Sequence, residues 1–376
     1  MGKDLVADIA VVGGGIVGLA HAYMALRKGL RVVLFERDEI AVGASVRNFG
    51  LIWPIGQEPG KPLERALRSY EHWKEVASQA GFWLKQNGSL HLAYHEDELA
   101  VLDEFTEQYG KTFQATMLTP TEVAMNSTTA RTRLLKGGLF SAMECTVNPR
   151  QAVRQIPGWL FEKFGLVPRF GQQVRSIEFP HVKTATEDWK VDQVIICSGS
   201  DFATLYPDVF EKAGLTKCKL QMMKGVVPEK GFVLGPTLCA GLTLRHYRAF
   251  SRCPSLRLVD ERYDRELPAL KEYGIHVLLG QNNRHELIIG DSHQYGKVVD
   301  PFDSEEINQL IIDYLKTFAE LPGLQFTERW HGVYPKHPVD IDMIVSPEKG
   351  VLIVNGLGGA GMTLSFGLAE EVIGKL

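Results

Sequence analysis

The first residues in this chain whose types and spacing suit chemistry form the turn Gly13-Gly14-Gly15-Ile16-Val17-Gly18. The turn follows the apolar run Asp8-Ile9-Ala10-Val11-Val12 and opens a segment with one apolar face that continues through Leu26. In such a strand, turn and helix, Gly13 permits the tight turn, Gly15 lets the backbone approach a pyrophosphate, and Gly18 lets helix and strand pack closely. The helix N-terminus attracts the phosphates, and Gly14, Ile16 and Val17 complete the contact surface. Glu36 closes a second run, Arg31-Val32-Val33-Leu34-Phe35, 18 residues after Gly18. A carboxylate there can accept both hydroxyls of an adenosine ribose and disfavours a 2'-phosphate, so NADP fits worse than NAD or FAD, with adjacent Arg37 acting in the opposite sense. A glycine turn made only for packing is the alternative; the complete unit of about 30 residues favours a dinucleotide.

A second candidate group lies in Gly241-Leu242-Thr243-Leu244-Arg245-His246-Tyr247-Arg248. Read as a strand, its alternation puts Thr243, Arg245 and Tyr247 on one face and Leu242, Leu244 and His246 on the other. Arginine and tyrosine together suit an oxyanion, with a solvated edge strand as the alternative. His246 shares the leucine face and reads as a core or interdomain histidine. His276, and His293 in Gly290-Asp291-Ser292-His293, are further substrate-site candidates, against a reading as satisfied core polar residues. The eleven histidines show no H-E-x-x-H or comparable spacing, and five widely separated cysteines show no C-x-x-C, so neither a metal nor a disulfide framework is expected. The cysteines fit a reducing cytoplasm.

The elements that must position these residues need two domains: 376 residues exceed one ordinary core. With 41 basic and 45 acidic residues, nothing in the balance argues for nucleic acid or an anionic membrane, and no apolar run is long enough to span one. Residues 63–86 carry a helical apolar stripe from Leu63 to Ala77, and Asn148-Pro149-Arg150 opens a helix towards Phe164. Val191-Asp192-Gln193-Val194-Ile195-Ile196 reads as a buried parallel strand ending in the turn Ser198-Gly199. Between residues 220 and 320 alternating strands, at Leu242–Tyr247, His276–Leu279 and Glu286–Ile289, precede a helix near 304–319. The tail from Gly350 returns to strand, glycine loop and helix. The expected fold is α/β: a discontinuous Rossmann-type domain (1–80, 145–215 and 325–376) and an α+β substrate domain on an antiparallel sheet (81–144 and 216–324).

Taken in order, Asp8 to Arg37, Gly43 to Gly50, Asn148-Pro149-Arg150, Asp192 to Gly199, and Asn355-Gly356-Leu357-Gly358-Gly359-Ala360-Gly361-Met362-Thr363 resemble the blocks of the D-amino-acid oxidase, glycine oxidase and sarcosine oxidase superfamily. The resemblance implies FAD rather than NAD. It implies cofactor contacts from Ala44, Ser45, Arg47, Asn48, Gly50 and Leu51, and an adenine contact from the backbone of Val174, in the strand after the Pro149 helix. Gly332, Gly356, Gly358, Gly359, Ala360, Gly361, Met362 and Thr363 would lie by the flavin, where backbone N–H groups and a helix N-terminus stabilise negative charge. Tyr334-Pro335-Lys336-His337-Pro338 lacks the cysteine of covalent relatives, which implies non-covalent FAD.

The activity implied is oxidation of a small amine by hydride transfer to flavin N5, hydrolysis of the resulting imine, and reoxidation by oxygen, with positioning residues rather than a catalytic triad. In Trp330-His331-Gly332-Val333-Tyr334-Pro335-Lys336, Tyr334 stands where the family usually has arginine and Lys336 follows. That departure counts against an ordinary α-amino-acid carboxylate; with Arg245 and Tyr247 the two residues suit a more highly charged anion. Gly241 to Tyr247, Ile289 to His293 and Gly359 to Ser365 together resemble a bacterial branch proposed to act on aminophosphonates, so aminoethylphosphonate or an N-methylated analogue is the favoured substrate. The alternatives are a glycine, sarcosine or D-amino-acid oxidase, an amine dehydrogenase with another electron acceptor, and a non-catalytic FAD-binding protein. The sequence is silent on whether the chain forms a homo-oligomer.

Overall fold

Leu5–Val12 forms the centre of the first sheet because its side chains are largely buried on both faces and both neighbouring strands run parallel to it. The computed structural model describes residues 5–376; residues 1–4, where the expected first domain begins, lie outside the described residues. Val32–Phe35 pairs along one edge of the central strand and Asp188–Ile196 along the other. Val167–Arg169 extends the sheet beyond the first of these, and Val351–Asn355 beyond the second, both in parallel. The hairpin Ser176–Glu178 and His181–Lys183, with the antiparallel strand Met343–Glu348, brings the sheet to eight strands.

Ile16–Arg27, Lys61–Ala80, Pro149–Phe164 and Gly361–Gly374 share one apolar core around Leu19, Tyr23, Trp73, Ile156 and Phe366. Tyr23 sits among Trp159 and Phe366 at ring-centre distances of 5.5 and 5.8 Å. The helix expected over 63–86 ends at Ala80, because Gly81 takes a left-handed φ of 74° and stops it, and Leu84–Gln86 is a strand.

The second sheet has nine strands and is antiparallel except where Thr237–Ala240 lies parallel to Ser89–Ala93. Its core gathers Phe105, Phe113, Phe250, Leu279, Ile311 and Phe318, packed by the helices Glu96–Phe113, Leu256–Glu266 and Glu305–Phe318. Two expectations change here. Gln325–Lys336, assigned above to the cofactor domain, pairs along almost all of Thr216–Val226 in the second sheet. Its half-buried alternation suits an antiparallel neighbour, and the chain re-enters the first sheet only at Met343. Leu242–His246 is a short helix rather than a strand: Gly241 already has helical dihedrals, Leu244 N–H donates to Gly241 O, and Leu242 N–H donates to the Tyr314 hydroxyl at 3.0 Å.

Candidate active site

A cavity of about 660 Å³ opens at the C-terminal ends of the parallel strands, where Val12, Phe35, Cys197 and Asn355 border it. Open parallel sheets hold ligands in this place, because crossovers leave a crevice beyond the strand ends. Gly13 has φ 113°, and a Cβ there would lie 2.3 Å from Cys197 O; a Cβ on Gly15 would lie 2.9 Å from Ser45 Oγ. Gly13, Gly15, Ile16 and Val17 line the cavity, and Ile16 N–H donates to Ser45 Oγ at 2.9 Å. Glu36 faces it too and accepts Gly14 N–H at 2.8 Å and Asp38 N–H at 3.1 Å, so the carboxylate is fixed before any ribose arrives. Arg37, Val174, Ser198 and Gly199 complete this end. Val174 lies in the turn between Val167–Arg169 and Ser176–Glu178, not in a strand.

Ala44, Ser45, Arg47, Asn48 and Leu51 line the middle of the cavity. The Asn48 amide donates to Ala44 O at 2.9 Å and its Oδ1 accepts Gly50 N–H at 2.7 Å, which closes the segment into a compact turn. Across from it lie Gly332 and the loop Gly356 to Thr363, whose last residues begin the helix Gly361–Gly374. Trp53 N–H donates to Thr363 Oγ1 at 3.0 Å, and the Trp73 indole donates to Met362 O at 2.7 Å, so the helix start is anchored from two sides. The hydroxyl of Tyr334 stands 3.6 Å from where a Cβ on Gly359 would lie.

Three of the expected cofactor residues act without bordering the cavity. Gly14 holds Glu36; Gly18 admits the close packing of the turn, its Cβ position being 1.9 Å from Gly13 O; Gly50, at φ 74°, packs on Val147 O.

The far end is bordered by Tyr247, His246, His276, His293, Tyr334 and Lys336, brought together from four separate stretches of chain. Arg245 does not join them. Its guanidinium bonds Asp260 at 2.6 Å and Asp264 at 2.8 Å, two carboxylates one helical turn apart on Leu256–Glu266. The helical turn at Leu242–His246 points Arg245 away and aims His246 at the cavity, the reverse of what alternation predicted. His246 stacks on His276 with ring centres 3.7 Å apart and lies 4.6 Å from His293.

Burial raises the Tyr334 and Tyr247 hydroxyls well above the usual phenol range, so both stay protonated donors. Burial, with the like charge of Arg248, holds the Lys336 ammonium below its ordinary value, opposed by Cys218. Burial lowers His293, helped by the imidazole of His276 and by Lys336, while Asp291 works the other way; the surrounding walls and the imidazoles of His276 and His293 lower His246, although its own surface is exposed to the cavity. Sequence reasoning missed Arg248 and Asp291 as wall residues, and Trp53 entirely. Asp291 stood inside the quoted motif with His293, a signal that was available; Arg248 depended on the helical turn.

The family profile described as FAD dependent oxidoreductase matches residues 8–374. The chain belongs to the FAD dependent oxidoreductase family. It is 24% identical over 400 residues to the gamma-glutamylputrescine oxidoreductase of Escherichia coli K12, covering 100% of this chain and 84% of that protein. A 75-residue stretch is 37% identical to the D-amino-acid oxidase of Streptomyces coelicolor, 20% of this chain and only 23% of that relative's length. Among solved structures the fold is similar to glycine oxidase from Bacillus cereus, with TM-score 0.78, 17% identity and coverage of 98% and 96% of the two chains. The glycine turns, Glu36 and the Gly356 loop therefore fit the FAD of the family. The cradle at Gly13 and Gly15, where any side chain would collide, is the structural mark of that fit.

Proposed function

We propose that this chain is an FAD-dependent amine oxidase acting on a small anionic amine, with aminoethylphosphonate or an N-methylated analogue favoured. Bound FAD supplies the hydride acceptor; the protein orients the amine carbon, excludes water and holds the anionic group. The observation that carries the anionic substrate is a pair of cations at the far end of the cavity. Lys336 bonds the Tyr295 hydroxyl at 3.2 Å and Arg248 bonds Val339 O at 3.0 Å, and among the described residues neither forms an ion pair with a carboxylate. Two neighbouring positive charges facing a cavity are relieved by an anion with more than one charge, and a phosphonate offers three oxygens and up to two charges. Tyr247 and Tyr334 add neutral donors on the same wall.

The FAD is proposed to be non-covalent. Of the five cysteines, all free and buried, Cys197 borders the cavity at the nucleotide turn, where burial raises its thiol far above the usual range and leaves it unreactive. Free thiols support a cytoplasmic setting, and among the described residues no helix is long and apolar enough to cross a membrane. Acid precipitation should leave the flavin in the supernatant; flavin retained by the pellet overturns the non-covalent reading.

Hydrogen peroxide release measured with 2-aminoethylphosphonate and its N-methyl derivative, against glycine, sarcosine and D-alanine, tests the substrate. Turnover confined to the amino acids overturns the phosphonate reading. It would favour instead a glycine, sarcosine or D-amino-acid oxidase, which the likeness to glycine oxidase supports. Anaerobic reduction by substrate followed by mixing with oxygen separates an oxidase from a dehydrogenase.

A further inference from the structure

His246, His276 and His293 come from different segments, yet their ligand-capable nitrogens all lie within 4.8 Å of one another. For two of them the surroundings say which nitrogen is available. His293 Nδ1 lies 2.9 Å from Gly274 O, a pure acceptor, so Nδ1 carries the proton and Nε2 presents a lone pair. His276 Nε2 lies 3.1 Å from Asp291 Oδ1, and the negative charge of that carboxylate favours the proton on Nε2. Its Nδ1 is then an acceptor, buried and without a partner in the protein. Buried polar atoms are nearly always satisfied, and here two neighbours, His276 Nδ1 and Asp291 Oδ1, are not.

Carboxylate or carbonyl behind one ring nitrogen, with the lone pair of the other turned to a shared point, is how proteins orient imidazoles for a metal ion.

We propose that His246, His276 and His293 bind a divalent transition-metal cation of the zinc class at the far end of the cavity. Bonds of about 2.0–2.1 Å would draw the nitrogens closer than they now stand. His246, the cavity-facing member, has to leave its stack on His276 to do so. Three imidazoles leave at least one coordination position open, and all three ligands border the cavity. The open position takes a phosphonate oxygen; this last step rests on the substrate reading above. Metal, Lys336 and Arg248 then make a positive surplus that Asp291 only partly offsets, which matches a dianion better than a carboxylate.

The test is a Zn²⁺ titration of chelator-treated, FAD-loaded protein by calorimetry, with metal content measured on the protein as purified. One Zn²⁺ per chain is expected, with affinity about a hundredfold lower in His276→Ala and His293→Ala and about tenfold lower in Asp291→Asn. Full flavin content in each variant shows that it has folded. His181→Ala, at an exposed histidine paired with Asp188, should bind Zn²⁺ as the parent does. No stoichiometric binding, or equal affinity in all variants, overturns the site. Methylphosphonate, which has no amine to oxidise, should bind at least tenfold more tightly to the Zn²⁺-loaded protein than to the stripped protein; equal affinity overturns the coordinating role. Stoichiometric Zn²⁺ in an enzyme that oxidises only amino acids upholds the metal site while removing the phosphonate substrate, so the two readings fail separately.

Discussion

The two ends of the cavity are built on opposite plans. At the nucleotide end the backbone does the binding: glycines without room for a Cβ, a helix N-terminus, and one carboxylate fixed by Gly14 N–H and Asp38 N–H. At the end proposed for the substrate, side chains line the wall, and they come from a short helix, two strand ends and the long strand Gln325–Lys336. A site made of backbone tolerates almost no change, whereas a site made of side chains can be re-specified one residue at a time. The likeness to proteins named for different substrates fits that division.

The harshest way to break the comparison is at the nucleotide end. Gly13→Val puts a β-branched residue at φ 113° and a Cβ 2.3 Å from Cys197 O, so the turn must open. Purified Gly13→Val protein should carry less than about a tenth of the parent's flavin per chain, read from the visible flavin band. Near-parental flavin content would show that the turn is not the cofactor cradle.

At the other end the effect falls on substrate affinity. Lys336→Met keeps much of the side-chain volume and removes the charge. KM for aminoethylphosphonate should rise on the order of a hundredfold with kcat changed by less than about threefold, the pattern of lost uniform binding. Flavin content should not change. Equal KM in parent and variant would remove Lys336 from the substrate wall.

The contrast also explains what could be read from the sequence. The nucleotide end is local: strand, turn, helix and acid lie within residues 8 to 36, and each residue type is dictated by backbone geometry, so the pattern survives in the letters. The Val191 strand and the Gly356 loop were legible for the same reason. The substrate end is assembled at long range. That His276 and His293 meet follows from sheet pairing, and that His246 joins them follows from a helical turn, neither of which a short spacing announces. The error at Leu242–His246 is instructive: five residues fit period two and one helical turn equally well, and tertiary bonds from Tyr314 and from Asp260 and Asp264 decided between them. The strand Gln325–Lys336 was placed with the cofactor domain, to which Gly332 was assigned, while its pairing partner lay a hundred residues away.

A smaller effect separates the cores behind the two ends. His21 lies in the helix that follows the nucleotide turn and His91 in a strand of the second sheet, both buried, and burial pushes them down to about 4 and about 3. The unfolded chain takes up these protons near pH 6.5 and the folded chain does not. Their contribution is therefore complete above pH 6.5 and is lost progressively as pH falls towards those depressed values. For His91 alone the loss at pH 4 should be about 3 kcal/mol. Urea unfolding between pH 7 and pH 4 measures it. His91→Phe, which suits the aromatic neighbours Trp53 and Phe250, should flatten the slope; an unchanged slope would show that His91 is not the source.

The smallest expected effect is at Arg245, and it sharpens the comparison most. Alternation made this arginine a substrate anchor; the fold instead spends its charge on Asp260 and Asp264, on a helix outside the cavity. The guanidinium is partly exposed and both carboxylates more so, which limits the pairs to about 1 kcal/mol of stability together. Arg245→Ala should therefore lower the urea midpoint slightly and change KM by less than about twofold, while Arg248→Ala, three residues along and facing the cavity, changes KM at least tenfold. The two neighbours report on the same turn of backbone from opposite sides. If Arg245→Ala raised KM as much as Arg248→Ala, the segment would have to be extended rather than helical, and His246 would turn away from the other two histidines.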